Sequence, residues 1–170
     1  MNKKTILSAL IISSVSVGAH AANADVDWFV GGGVGYQADN IKGEYTGGDD
    51  DATFQLRGGA IINENHRVMG TYAYMDELSQ NTFLASYDYI HPVSEKFSVF
   101  AGASIGAADS EINNQSSTEF VWGGQAGVMY RINSNWSAEL AYRYLDQDYQ
   151  LHGVKINDTQ QVYMSVDYRF

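Results

Sequence analysis

Val162-Tyr-Met-Ser-Val-Asp-Tyr-Arg-Phe170 alternates in character at every step. Val162, Met164, Val166, Tyr168 and Phe170 fall on one face, and Tyr163, Ser165, Asp167 and Arg169 on the other. A period of two is that of a β-strand with one apolar and one polar side. Trp136-Ser-Ala-Glu-Leu-Ala-Tyr-Arg-Tyr144 repeats it, and working back the same alternation covers 120–131, 97–105, 83–89, 68–74, 54–62 and 28–37. No stretch from residue 26 onward carries the helical period. Eight strands are predicted, an even number. Their apolar faces hold no charged residue, whereas the opposite faces carry Arg57, Asp88, Arg131, Glu139, Arg143, Asp167 and Arg169.

Two arrangements suit such a sheet. A soluble sandwich or ligand-binding barrel turns its apolar face inward. A membrane barrel turns that face to lipid and encloses the polar one. Aromatic placement separates them. Trp28, Tyr87, Tyr89, Phe97, Tyr130, Trp136, Tyr168 and Phe170 cluster at one set of strand ends. Tyr36, Phe54, Tyr72, Tyr74, Phe83, Phe120, Trp122, Tyr142 and Tyr144 cluster at the other. Between them lie Val30, Gly58, Ala101, Ala126, Leu140 and Met164. A soluble core gains most from large rings at its centre, whereas Trp and Tyr rings favour the two interfaces of a bilayer. The expectation is an all-β, eight-stranded antiparallel up-and-down transmembrane barrel with two aromatic girdles.

The 170 residues are 45% hydrophobic, with 17 Gly, one Pro and no Cys, and the formal charge is −10. Without Cys there is no disulfide scaffold, thiolate metal site or cysteine nucleophile. No basic patch exists to bind nucleic acid. Mean hydropathy is −0.26, too low for a helical membrane bundle but ordinary for alternating strands.

Residues 1–21 read as a cleaved signal peptide. Lys3 and Lys4 precede an apolar run from Ile6 to Val17, and Ala19-His20-Ala21 offers the small-x-small cleavage pattern. The run falls short of the roughly 18 apolar residues a membrane-spanning helix needs. The barrel domain is then 22–170, with a charge of −12 once Lys3 and Lys4 are removed.

The gaps after strands two, four and six are tight: Asn63-Glu64-Asn65-His66, His91 to Lys96 with the single Pro92, and Asn133-Ser134-Asn135. Those after strands one, five and seven read longer, near 39–50, 108–118 and 146–158. The gap after strand three, Asp76 to Ser79, is short and fits the rule less well. Outer-membrane barrels put short turns in the periplasm and long loops outside, so both termini are expected to be periplasmic. The outer loops and strand tips hold thirteen acids, Asp49-Asp50-Asp51 among them, against Lys42 and Lys155.

With strands and girdles placed, residues 22–170 resemble the small eight-stranded outer-membrane proteins of Gram-negative bacteria, of the OmpA transmembrane domain and OmpX–Ail types. The resemblance is carried by Trp28-Phe-Val-Gly-Gly-Gly-Val-Gly-Tyr36, by Trp136 to Tyr144 and by the last strand. That last strand is similar to the terminal signal read by the barrel-assembly machinery. Tyr168 and Phe170 match its aromatic positions, although its usual Gly is Ser165 here. Members of the OmpA type have a lumenal arginine–carboxylate cluster that plugs or gates a narrow path. Arg57, Glu139 and Arg143 are the nearest matches by strand and depth.

An eight-stranded barrel is only wide enough for side chains to fill. Arg57, Asp88, Glu139, Arg143 and Asp167 are therefore expected to pair within the lumen. No catalytic residue, cofactor or metal site is expected. His66, His91 and His152 lack metal-ligand spacing, and Asp49-Asp50-Asp51 lacks that of a calcium loop. Gly31-Gly32-Gly33 follows no strand and opens no helix, so it is not a nucleotide loop.

The leading expectation is a non-catalytic surface-interaction or envelope-integrity protein. It would contact outer-membrane lipid, lipopolysaccharide and a host or environmental ligand. A narrow gated ion path is the alternative. A lipid-A-modifying enzyme using His152 and a soluble periplasmic ligand-binding barrel stand further off.

Overall fold

The computed structural model describes the backbone of residues 25–42, 50–75, 80–112, 115–151 and 154–170, and the side chains of 25–36, 52–74, 81–108, 120–146 and 159–170. The signal peptide expected over 1–21, His152 and the side chains of the Asp49–Asp51 tip lie outside them. Eight strands follow in order: β1 (Val26–Lys42), β2 (Asp50–Ile62), β3 (His66–Met75), β4 (Gln80–Pro92), β5 (Phe97–Ile112), β6 (Gln115–Arg131), β7 (Trp136–Leu151) and β8 (Val154–Arg169). Each pairs antiparallel with its chain neighbour, and β8 pairs with β1 to close the barrel. Closure leaves no sheet edge unpaired, as hydrocarbon requires. Among the described residues no helix is long and apolar enough to cross a membrane; the strands do the crossing.

The alternation resolves as expected for a membrane barrel. Leu140 is 52% and Val166 44% exposed on the outside, while Arg143 and Asp167 are buried at 1% and 3%. An inverted, apolar-cored barrel is ruled out by these four residues alone.

Strand lengths differ from the sequence reading. β5 runs to Ile112 and β6 starts at Gln115, and β7 runs to Leu151 with β8 starting at Val154. The supposed long loops after strands five and seven are mostly hairpin arms. A backbone ladder needs no apolar face once it leaves the lipid, so polar strand tips read as loop. Only the gap between β1 and β2 exceeds four residues.

The three tight turns are held by side chains. Asn63 and Glu64 both take positive φ, 51° and 61°, the hairpin geometry that a two-residue turn favours. Asn65 Nδ2 donates to the Ile90 carbonyl at 2.9 Å, tying the β2–β3 turn to β4. Asn133 Oδ1 accepts from the backbone N–H of Asn135 and of Trp136, at 2.9 and 2.8 Å, and shapes the β6–β7 turn.

Candidate functional site: the lumenal ion cluster

Inward-facing residues form successive layers. Near the turns, Phe29, Ile61, Met69, Ile90, Phe100 and Met129 come from six strands and pack as one apolar cluster. Each lies within three residues of the turn end of its strand. The charged groups sit beside and just beyond them: Arg67, Glu139 and Asp167 lie within three residues of the same strand ends, whereas Asp88 and Arg57 lie four and five residues in. Farther along, Leu84, Ala108, Val121 and Leu145 form a second apolar cluster on the β4–β7 wall.

Glu139 is the hub of the charged layer. It accepts from Arg57 Nη1 at 2.8 Å and Nη2 at 2.9 Å, from Arg67 Nη1 at 2.5 Å and from the Tyr163 hydroxyl at 3.2 Å. Arg57 turns its other edge to Asp167, with Nε donating at 2.8 Å and Nη2 at 2.5 Å. One guanidinium thus forks onto two carboxylates, a geometry Lys could not copy.

Arg67 Nε donates to Asp88 Oδ2 at 2.8 Å. Its Nη2 lies 2.7 Å from the same oxygen at an angle too bent for a directed bond, so it contributes charge only. The other oxygen of Asp88 accepts from Gln125 Nε2 at 2.7 Å. Every carboxylate of the layer thus meets a guanidinium, which offsets the desolvation cost of enclosing it.

Two glycines make room for this layer. A Cβ on Gly31 would collide with Asp167 Oδ1 and the Val166 carbonyl. One on Gly102 would collide with Asp88 Oδ1 and the Tyr87 carbonyl. The carboxylates lean against bare backbone and reach the guanidinium groups from there.

Arg57, Asp88, Glu139 and Asp167 are brought together as one network. Arg143 stands apart: it donates to Gln125 Oε1 at 2.9 Å and makes no ion pair among the described residues. Arg131, on the same set of faces, is exposed at the rim, and Arg169 is half-buried. Arg67 is the member missed from sequence. The alternation over 68–74 starts at Val68, whereas β3 starts at His66. Running the alternation back from Thr71 and Met69 puts Arg67 on the inner face, and that signal was available. Among the described residues no three acidic or His side chains are grouped to hold a metal ion.

Outside, the rings form two belts. Trp136 and Tyr168 lie 5.0 Å apart between centroids, Phe97 and Tyr130 4.9 Å, at the turn end beside Trp28 and Phe170. Tyr36, Phe54, Tyr74, Trp122 and Tyr144 line the opposite end, all exposed. Phe54 pairs with Tyr74 across β2 and β3.

Among solved structures, Neisserial surface protein A (from Neisseria) is similar at 18% identity, covering 87% of this chain and 99% of its own, with a TM-score of 0.68. OprH of Pseudomonas aeruginosa, solved in micelles, follows at 24% identity, 85% and 99% coverage and a TM-score of 0.63. Ail, the attachment invasion locus protein of Yersinia pestis, in complex with the heparin analogue sucrose octasulfate, is 17% identical over 86% and 99%, with a TM-score of 0.51. At these identities the likeness concerns the fold. No curated protein matches the chain in sequence. The family described as "Outer membrane protein beta-barrel domain" matches residues 7–170. With nearly its whole length so matched, and with an apolar exterior around an ion-paired lumen, the chain belongs to the outer-membrane β-barrel family and is a transmembrane protein of the Gram-negative outer membrane.

Proposed function

We propose that the protein is a non-catalytic surface barrel that acts through its loops and rim, in adhesion or envelope integrity. The observation that carries this reading is the filled lumen. The apolar cluster of Phe29, Ile61, Met69, Ile90, Phe100 and Met129 and the ion-paired cluster of Arg57, Arg67, Asp88, Glu139 and Asp167 share the turn-end part of the lumen. Transport would have to dismantle both, which leaves the loops as the working surface.

In this reading residues 1–21 are removed on export and 22–170 form the barrel. The short turns and both termini face the periplasm, and the two ring belts seat at the bilayer interfaces. The strand ending in Tyr168 and Phe170 engages the assembly machinery.

The outer loops and strand tips carry thirteen acids and two lysines, so their field repels polyanions and draws cations. The Yersinia pestis relative was crystallised with a sulfated sugar; this chain suits a basic partner, or lipopolysaccharide bridged by divalent cations. Purified barrel in a planar bilayer should be electrically silent. Cells carrying it should bind a polybasic peptide, less so with Asp49→Asn, Asp50→Asn and Asp51→Asn together. Steady wild-type conductance would overturn the reading in favour of an ion path.

A further inference from the structure

Lys96 and Arg131 are the exposed cations among the described residues, and they are neighbours. The Arg131 N–H donates to the Lys96 carbonyl at 2.8 Å, across the turn end of β5 and β6. Glu95 is exposed on the same turn, yet neither cation makes an ion pair among the described residues. Phe97 and Tyr130 follow them on the outer face, with ring centroids 4.9 Å apart. The two charges therefore stand just past a belt of rings, at the depth where lipid headgroups begin.

Farther along the same two strands the outer face drops. Ala101 pairs with Ala126, and Ala103 with Gly124. Tyr87 and Tyr89 of β4 flank this block on one side, and Tyr142 and Tyr144 of β7 on the other, all four exposed. Ile105 and Trp122 close it toward the loops. The result is a shallow apolar recess with tyrosine walls, in line with the cation pair. Five residues separate Ala101 from Lys96 and Ala126 from Arg131. That is about 16 Å along the strands, or about 12 Å along the membrane normal at the usual tilt. The recess thus lies within the turn-end half of a hydrocarbon core about 30 Å thick.

We propose that the outer wall of β5 and β6 holds one anionic glycerophospholipid, its phosphate on Lys96 and Arg131 and an acyl chain in the recess. The cations alone would attract any anion and the recess alone any chain. Their alignment on one pair of strands selects a molecule that carries both. The choice of phospholipid over lipopolysaccharide rests on the orientation proposed above, which puts the turn end on the periplasmic side.

Phosphatidylglycerol is the probe, in phosphatidylcholine vesicles that offer the same lipid at either end, so the result does not depend on that orientation. Chain-brominated phosphatidylglycerol or phosphatidylcholine is added to the refolded barrel. Trp122, beside the recess, reports as the single tryptophan once Trp28→Phe and Trp136→Phe are made. Brominated phosphatidylglycerol should bind more tightly by about fivefold for each cation and up to about thirtyfold for the pair, at low salt. Lys96→Gln with Arg131→Gln should abolish the preference. Ala103→Phe fills the recess, leaves both cations in place and should remove most of it. Equal quenching by the two lipids would overturn the proposal, as would a preference unchanged in the double variant or in Ala103→Phe. So would quenching that fades as barrels are packed more densely, the mark of a second copy seated in the recess.

Discussion

Arg57 on β2 and Glu139 on β7 meet inside the barrel through two parallel hydrogen bonds, although 82 residues separate them in the chain. Because Arg67 also donates to Glu139, a single carboxylate joins three strands. Glu139→Gln keeps the shape and removes the charge that two buried guanidinium groups share. The expected cost is about 3–5 kcal/mol, the penalty for breaking a buried pair. A lowered urea midpoint for the barrel refolded in vesicles checks it, with Glu139→Asp as a milder control. A change below about 1 kcal/mol would mean that lumenal water replaces the carboxylate.

Gly102→Ala and Gly58→Ala differ only in which face receives the methyl. At 102 the new Cβ runs into Asp88 and the Tyr87 carbonyl; at 58 its nearest neighbour is the Phe29 carbonyl at 3.5 Å. The first should destabilise by about 1–3 kcal/mol, as overpacking does. The second should stay within about 0.5 kcal/mol of wild type. The fraction migrating as folded on an unboiled gel after a urea series reads both. Equal effects would show that the inner wall yields.

Leu140 sits on the outer face midway between the belt residues Trp136 and Tyr144 of β7, flanked by Val128 and Met164. In lipid, Leu140→Arg should cost about 2–4 kcal/mol, whereas the same change near a belt costs far less. Refolding into phospholipid vesicles and measuring the urea midpoint of both variants gives the comparison. A negligible cost at 140 would contradict a lipid-facing exterior.

The faces of the barrel were legible because alternation is a local property: Leu140 out and Glu139 in follow from one residue's neighbours. Arg67 was lost to a strand boundary drawn two residues late at Val68. Boundaries are where alternation thins out, because a turn follows. The loop-side halves of β5 to β8 were lost for the opposite reason, since beyond the lipid a paired strand carries polar residues on both faces. The partner of Arg57 lay beyond local reading altogether. Whether it meets Glu139 or Asp88 depends on how the strands stagger around the closed barrel, and that is fixed by all eight registers together.

The seal at the turn end makes its own prediction. Phe100 lies under Arg67, whose Cζ is 4.4 Å from the ring centre, and packs in the apolar layer with Met129 and Ile90. Apolar constrictions bar ions by excluding water, even where a gap the size of a side chain exists. Phe100→Ala opens the layer and removes the ring from Arg67, while Glu139 and Asp88 still hold that guanidinium. Stability should fall by about 3–5 kcal/mol, as for other buried Phe→Ala changes. Planar-bilayer recordings should turn from silent to brief openings, because the lost ring admits water beside Arg67 and its carboxylate partners. If the variant is as silent as wild type while unfolding earlier, the barrier lies in the Arg57–Glu139–Arg67 cluster itself. Adding Glu139→Gln to Phe100→Ala should then be what admits current.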